Sequence, residues 1–290
     1  MMQSGVVLVV LSGMMYGLLG LFGTRLMDEN FSVPTLLFWR FLVAAVVLVP
    51  VTLKLGTYRE WDLRSVWSSL VFGALLYSGS SGFYFFASKF IGTGLSMVIF
   101  YTYPALVLLM AWKIDQAQMS KMMLASIAIV VFGISLLGST DRGAVSDWRG
   151  VLSALLAALF YGIYVYGSKK QLKKLSSIDS TLMVCIGSAI TFFIVAVLDQ
   201  SLIFPPTLNA SINILGIALV CTSLPILFLL EGLKTLDAGK ASIISVLEPV
   251  FTVVVGALFL GEQLNSVQVA GVLIVLFGAT AVNLDQTQQS

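Results

Sequence analysis

Residues 245–262 read SVLEPVFTVVVGALFLGE, and the Glu248-Pro249 pair falls inside a run from Ala241 to Leu260 that is otherwise almost wholly apolar. An apolar helix of about 20 residues spans the hydrocarbon of a bilayer. Read that way, Glu248 lies roughly 12 Å from the start of its span at about 1.5 Å per residue, a depth at which an unpaired carboxylate is costly. Pro249 has no backbone N–H and frees the Ser245 carbonyl one turn earlier; such backbone is tolerated in a membrane where it lines a cavity or is packed by protein. Ser245, Glu248 and Thr252, at i, i+3 and i+7, then share one face of a continuous helix and form an inward polar stripe.

The rest of the chain is built of similar segments. Of its 290 residues 58% are hydrophobic and 10% charged, against roughly 25% charged in an ordinary soluble domain. The apolar residues run along the whole length, unlike a soluble domain with one anchor or a removable signal peptide. Ten segments long enough to cross a bilayer fall near 4–24, 33–53, 66–86, 92–112, 120–139, 149–168, 180–198, 211–231, 240–260 and 266–284. The third and fourth nearly merge through ASKFIGTGLS, residues 87–96. The expected fold is all-α: a polytopic membrane protein of ten transmembrane helices.

Orientation follows from the joints, since cytoplasmic loops hold the excess of Lys and Arg. The side of the N-terminus carries Lys54, Arg59, Arg64, Lys113, Lys121, Lys169, Lys170, Lys173, Lys174, Lys234 and Lys240, eleven in all, against Arg25, Lys89, Arg142 and Arg149 on the other. Both termini are therefore expected in the cytoplasm of a cell whose inner membrane holds the protein, most simply a bacterium. The run KKQLKK, 169–174, reads as a topology anchor at that surface.

Sliding the chain against itself by 145 residues brings Tyr16-Gly17 onto Tyr161-Gly162, Lys89, Gly94 and Pro104 onto Lys234, Gly239 and Pro249, and Phe132-Gly133 onto Phe277-Gly278. There are 23 identities across the 145 pairs, where composition alone gives roughly half as many. Two five-helix repeats are expected, 1–145 and 146–290, forming one membrane unit. An odd number of spans sends the second repeat into the membrane inverted, an arrangement that lets one central site open alternately to either face. Gly13 with Gly17, and Gly271 with Gly278, read as close-packing surfaces for neighbouring helices.

Five-span halves, LLFWRF in the second span and ASIISVLEPVFTVVVGALFLGEQL across the ninth resemble the EamA-type branch of the drug/metabolite transporter superfamily. Lys240, Glu248, Pro249 and the Gly261-Glu262 pair fit that family's ninth-span pattern, and Tyr103 takes the place of Glu248 in the first half. The resemblance implies small-molecule transport by alternating access, with a cavity between the halves. It leaves open whether the solute is an amino acid, a nucleotide-like metabolite or an amine.

Candidate substrate contacts are Tyr16, Tyr77, Ser81, Tyr84, Met97, Tyr101, Tyr161, Tyr164, Ser245 and Glu248. Tyr77, Ser81 and Tyr84 lie close on one face; Met97, Tyr101 and Pro104 follow i, i+4, i+7; Tyr161 and Tyr164 follow i, i+3. Tyrosine combines an apolar ring with a hydroxyl and suits an amphipathic solute, although it also populates interfacial belts. Glu248 is either a proton-accepting or substrate-contacting group or, the preferred reading, a structural or gating ligand beside the Pro249 kink. Arg40, about 10 Å inside its span, reads as a structural pair or an interfacial anchor with a snorkelling stem. Pro104, Pro249, Lys89 and Lys234 complete the gating or structural set.

Histidine is absent, and Cys185 and Cys221 sit in apolar runs, so no metal site and no cofactor are expected. A net charge of +2 gives no reason to expect nucleic acid. The chain lacks a P-loop for direct ATP use, and its catalytic inventory is thin for an intramembrane enzyme. The expected activity is secondary transport of a small metabolite, an amino acid or related amphipathic solute, with export favoured. Uptake or exchange of a cationic or nucleoside-like metabolite is the alternative. The expected partners are the solute, the lipid bilayer, and protons or a counter-substrate.

Overall fold

The structure, a computed structural model, describes residues 2–116, 120–137, 147–172, 175–259 and 265–287. Every regular element among them is helical. The Gly261-Glu262 pair and three of the joint cations counted above, Arg142, Lys173 and Lys174, lie outside the described residues.

The first half runs through α1 (Met2–Gly17), α2 (Leu19–Asp28), α3 (Val33–Leu55), α4 (Leu63–Val71), a π-helical turn (Phe72–Tyr77), α5 (Ser78–Phe100), α6 (Tyr103–Asp115) and α7 (Lys121–Leu137). The second runs through α8 (Trp148–Gln171), α9 (Ser177–Leu198), α10 (Leu208–Ala218), a π-helical turn (Leu219–Ser223), α11 (Leu224–Leu233), α12 (Ala238–Ser245), α13 (Glu248–Phe259) and α14 (Ser266–Thr287). Seven helical stretches are long and apolar enough to cross a membrane, and two shorter apolar helices cover Lys121–Leu136 and Ser266–Ala279. One of the seven, Leu63–Asp115, is 53 residues long, about 80 Å if straight and far more than a bilayer core. It is broken at Gly92, whose φ of 74° and ψ of 162° leave the helical region. A side chain there would be strained, so glycine is what lets the chain turn back. The expected third and fourth spans, 66–86 and 92–112, fall on either side of this break.

Element starts recur 145 residues apart: Leu63 of α4 with Leu208 of α10, Tyr103 of α6 with Glu248 of α13, and Lys121 of α7 with Ser266 of α14. The N-caps of α4 and α10, Asp62 and Thr207, obey the same offset and accept from Ser65 N and Ala210 N at 3.2 and 2.9 Å, each satisfying a donor the helix start leaves unpaired. Asp237, with φ −70° and ψ 147°, breaks the second half where Gly92 breaks the first.

Packing repeats as well. Gly150 faces Phe90 and Ile91, whereas Gly5 faces Thr235 and Leu236; Gly133 faces Val275 and Gly271, whereas Gly278 faces Val130 and Ser126. The second pair of contacts is reciprocal, with partner numbers falling as α7 advances, so α7 and α14 are antiparallel. Pairing of α3 with α9 is antiparallel too, since Phe38 meets Phe193, Phe41 stacks on Phe192 at 5.9 Å, and Thr57 bonds Asp179 at 2.8 Å. Gly13 and Gly17 of α1 lie on α13, against Glu248 and Phe251. The outer face carries Leu198, Leu258, Leu273 and Phe277 at 62–79% exposure, an apolar belt that a lipid environment covers.

Candidate functional site

Two departures from continuous-helix geometry build the site. The first answers the question posed by Glu248-Pro249. α12 stops at Ser245, Val246 and Leu247 make i→i−3 bonds to Ile243 and Ile244 at 3.2 and 3.1 Å, and α13 starts at Glu248 itself. Pro249 is therefore the second residue of a helix, where its missing N–H costs nothing. Glu248 sits at the positive end of the helix dipole, which favours a carboxylate. The expected span is one apolar stretch, Ala238–Phe259, but in place of a kinked helix it holds two, joined by a single turn. Across the break Ser245 no longer shares a face with Glu248 and Thr252; its hydroxyl bonds back to Ala241 O at 2.9 Å.

The second departure is the pair of π-turns. A π-turn leaves backbone acceptors without their usual donors. In the first half Gly73 O receives the Ser78 and Ser188 hydroxyls at 2.8 and 3.0 Å, and Ala74 O receives Thr191 at 2.7 Å. In the second, Cys221 O receives Arg40 Nη2 at 2.9 Å, and Arg40 Nε donates at 2.6 Å to the Thr222 hydroxyl, which itself donates to Ile217 O. Arg40 is 4% exposed, with its guanidinium 5.0 Å from the Phe41 ring centroid. Both donating nitrogens are thus held inside the bundle, as in the structural-pair reading, and not at an interface.

Between α1–α3, α5, α8 and α13 lies a cavity of about 460 Å³. Tyr16, Tyr77, Ser81, Tyr84, Met97, Tyr101, Tyr161, Glu248 and Arg40 all line it. Tyr16 and Tyr77 share a hydroxyl–hydroxyl bond of 2.7 Å, and Tyr101 lines the cavity together with Glu248. At its shallow end lie Thr24, Met27, Lys89 and Thr93, all exposed, at the α2–α3 end of the bundle. Lys89 thus stands at the mouth. Its counterpart Lys234 is away from the cavity and pairs with Glu231 at 2.8 Å.

Tyr164, Ser245 and Pro104 do not line the cavity. Tyr164 is fully buried behind it, 5.0 Å from the Tyr77 ring. Pro104 begins α6 beyond the turn at Tyr101 and Thr102, which breaks the i, i+4, i+7 series. Ser80, Ser88, Thr93, Gly20 and Gly23 line the space without having been singled out. The signal for the glycines was their spacing on α2, but only the structure shows that a Cβ at either would meet nothing within 4 Å. Cys185 and Cys221 are free and buried, and no group of three metal-binding side chains occurs among the described residues.

An all-helical chain with an apolar outer belt and a polar-floored cavity has the build of an integral membrane transporter. The sequence profile of the EamA-like transporter family matches residues 3–139 and again 148–284. The chain belongs to that family. It is 22% identical over 287 residues to an uncharacterized transporter of Clostridium kluyveri, covering 96% of this chain and 92% of that one. It is 25% identical over 300 residues to the uncharacterized transporter YxxF of Bacillus subtilis, covering 99% and 91%. A solved crystal structure superposes with a TM-score of 0.85 over 99% of each chain at 16% identity, a likeness of fold. The protein is accordingly a transporter and not an enzyme.

Proposed function

We propose that this protein is a secondary transporter that moves an amino acid or related amphipathic solute by alternating access, in the export direction, across a bacterial cytoplasmic membrane with both termini inside. The observation that carries the reading is the cavity: it is open at the α2–α3 end and ends midway on tyrosines, Glu248 and Arg40. A carrier in one of its two accessible states has such a one-sided cavity, whereas a channel is open at both ends. In this reading residues 1–145 and 146–290 form two inverted five-helix repeats, ten spans in all, with the 53-residue stretch supplying two. The shared 145-residue offset, the double profile match and the antiparallel pairing of equivalent helices support it. Protons or a counter-substrate supply the driving force.

Reconstitution tests this. Purified protein in liposomes preloaded with an unlabelled apolar amino acid should show saturable uptake of labelled solute that is faster than into empty vesicles. Linear uptake that neither saturates nor responds to preloading would overturn the carrier reading.

A further inference from the structure

At the end of the bundle opposite the cavity mouth several joint cations are neutralised within the protein. Lys169 pairs with Asp237, Lys170 with Asp115 and Lys234 with Glu231, at 3.0, 3.0 and 2.8 Å. The turn from α3 to α4 at the same end is different. Lys54, Arg59 and Arg64 are exposed there, and none of the ion pairs among the described residues includes them.

The backbone that carries these cations is held at four points. Gly56 ends α3 with a φ of 72°, its N–H on Thr52 O at 3.0 Å. The Thr57 hydroxyl donates to Asp179 of α9 at 2.8 Å, and Trp61 packs against the main core. The Asp62 carboxylate accepts from Ser65 N and Ser65 Oγ at 3.2 and 2.8 Å, so the acid nearest to Arg64 is already engaged as the cap of α4. A fixed backbone lowers the ordering cost of binding.

Apolar surface adjoins the charges on both sides. Val46, Val49 and Leu53 of α3, at i, i+3 and i+7, are 40–61% exposed; Leu63, Trp67 and Val71 of α4, at i, i+4 and i+8, are 42–71% exposed. Each set is one outward stripe of its helix. The counterpart turn, residues 199–209, reads DQSLIFPPTLN and contains Asp199 but no cation. It lies at the mouth end, where Trp39 Nε1 of α3 donates to Ile203 O at 2.8 Å. Membrane orientation accounts for a surplus of cations at one end, and ion-paired lysines serve it equally well. It requires neither unpaired cations on a fixed turn nor apolar stripes that begin beside them.

We propose that the α3–α4 turn binds the headgroup of an anionic phospholipid, with Lys54, Arg59 and Arg64 supplying cations to the phosphate and the two stripes carrying the acyl chains. The headgroup is anionic and not zwitterionic because a choline or ethanolamine ammonium would meet three cations. The occupant is a lipid because Lys54 stands between the exposed Leu53 and Leu55, and Arg64 next to Leu63. In the orientation proposed above, this turn faces the cytoplasmic leaflet, whose anionic lipids attract such segments.

The test reads quenching of Trp67 in the full chain reconstituted into phosphatidylcholine vesicles that contain a minor share of either brominated phosphatidylglycerol or brominated phosphatidylcholine. The part of the quenching that disappears in Trp67→Phe belongs to Trp67. Phosphatidylglycerol should be preferred at least about fivefold, the equivalent of about 1 kcal/mol, which is what a single cation near a membrane surface contributes. Replacing Lys54, Arg59 and Arg64 together by Gln should bring the ratio to about one with the melting temperature unchanged, since all three are exposed. Arg59→Gln alone should lower it in the same direction should the triple variant fail to fold. Lys113→Gln with Lys121→Gln should leave it as in the wild type.

Equal quenching by the two lipids would overturn the proposal. So would a preference that survives the triple substitution or that disappears with Lys113 and Lys121 instead. Displacement of the lipid by inorganic phosphate, where chloride of equal ionic strength has no effect, would assign a free-anion site in its place. None of these measurements uses solute flux, so the transport reading is tested separately.

Discussion

Ser80, Ser81, Tyr84 and Ser88 of α5 have, 145 residues on, the counterparts Pro225, Ile226, Leu229 and Leu233 of α11. The first set lines the open cavity; Ile226, Leu229 and Leu233 are at most 1% exposed. The two helices hold equivalent places and meet equivalent neighbours, α8 for α5 and α1 for α11. The difference lies in what the opposing helices present. Gly20 and Gly23 of α2 leave empty space, whereas their counterparts in α8 are Val165 and Ser168, both buried. At the closed end Lys169 also ties α8 to the turn after α11, through Leu236 O at 2.6 Å and Asp237 at 3.0 Å. One end of the bundle is thus glycine-lined and polar, and the other is an apolar plug with a polar latch.

The largest effect should come from unpacking the plug. Leu233→Ala removes a fully buried side chain and should cost about 2–5 kcal/mol in denaturant unfolding. Ser88→Ala, its counterpart at the open end, should change stability by less than about 0.5 kcal/mol. Equal losses at both positions would show that the two ends are packed alike.

Next come the matched glycines of α1 and α8. A Cβ at Gly17 would lie 2.7 Å from Phe251 Cβ and 3.0 Å from its backbone, whereas one at Gly162 would be no nearer than 3.4 Å to Leu106. Gly17→Ala should therefore destabilise by about 1–3 kcal/mol, while Gly162→Ala is near neutral. Thermal melts of the two variants side by side read the difference directly.

Filling the open end should leave stability intact and remove activity. Gly20→Phe projects a ring into empty space, and solute flux should fall about tenfold, equivalent to about 1.4 kcal/mol, with the melting temperature unchanged. A variant that still transports at the wild-type rate would place the solute route elsewhere.

The smallest effect is expected at the latch. The Lys169–Asp237 pair is 32% and 77% exposed, so Lys169→Met should alter stability by less than about 1 kcal/mol. Its signature is conformational: the α11 backbone amides around Leu233 should take up deuterium faster once the latch is gone. Unchanged labelling would mean that apolar packing alone keeps that end shut.

Much of the site was legible at the level of residues. Tyrosines spaced along apolar segments and an acidic residue beside proline are visible in the linear chain, and most of them converge on the cavity. Tyr164 and Ser245 do not reach the cavity, for two reasons: the wall in front of Tyr164 is already filled, and for Ser245 helical periodicity was carried across a helix break. The breaks themselves have local causes, glycine at 92 and proline at 249, but whether proline kinks a helix or starts one depends on what its neighbours pack against. For Arg40 the chain left two readings open, a structural pair or a snorkelling anchor, because a long cation near a span end can snorkel unless something inside receives it. The π-turn acceptors at Cys221 and Thr222 lie about 180 residues away in sequence.

Composition, hydropathy and the 145-residue self-match determined by themselves that the chain is a helical membrane protein with two related parts, because bilayer thickness and backbone hydrogen bonding leave an apolar chain few other solutions. Only the tertiary structure decided which end is open, which tyrosines face the cavity, and that Arg40 and Glu248 meet the same space. Those outcomes depend on side-chain volume and donor geometry between helices distant in sequence, where a glycine in one repeat and a valine in the other separate a cavity from a plug.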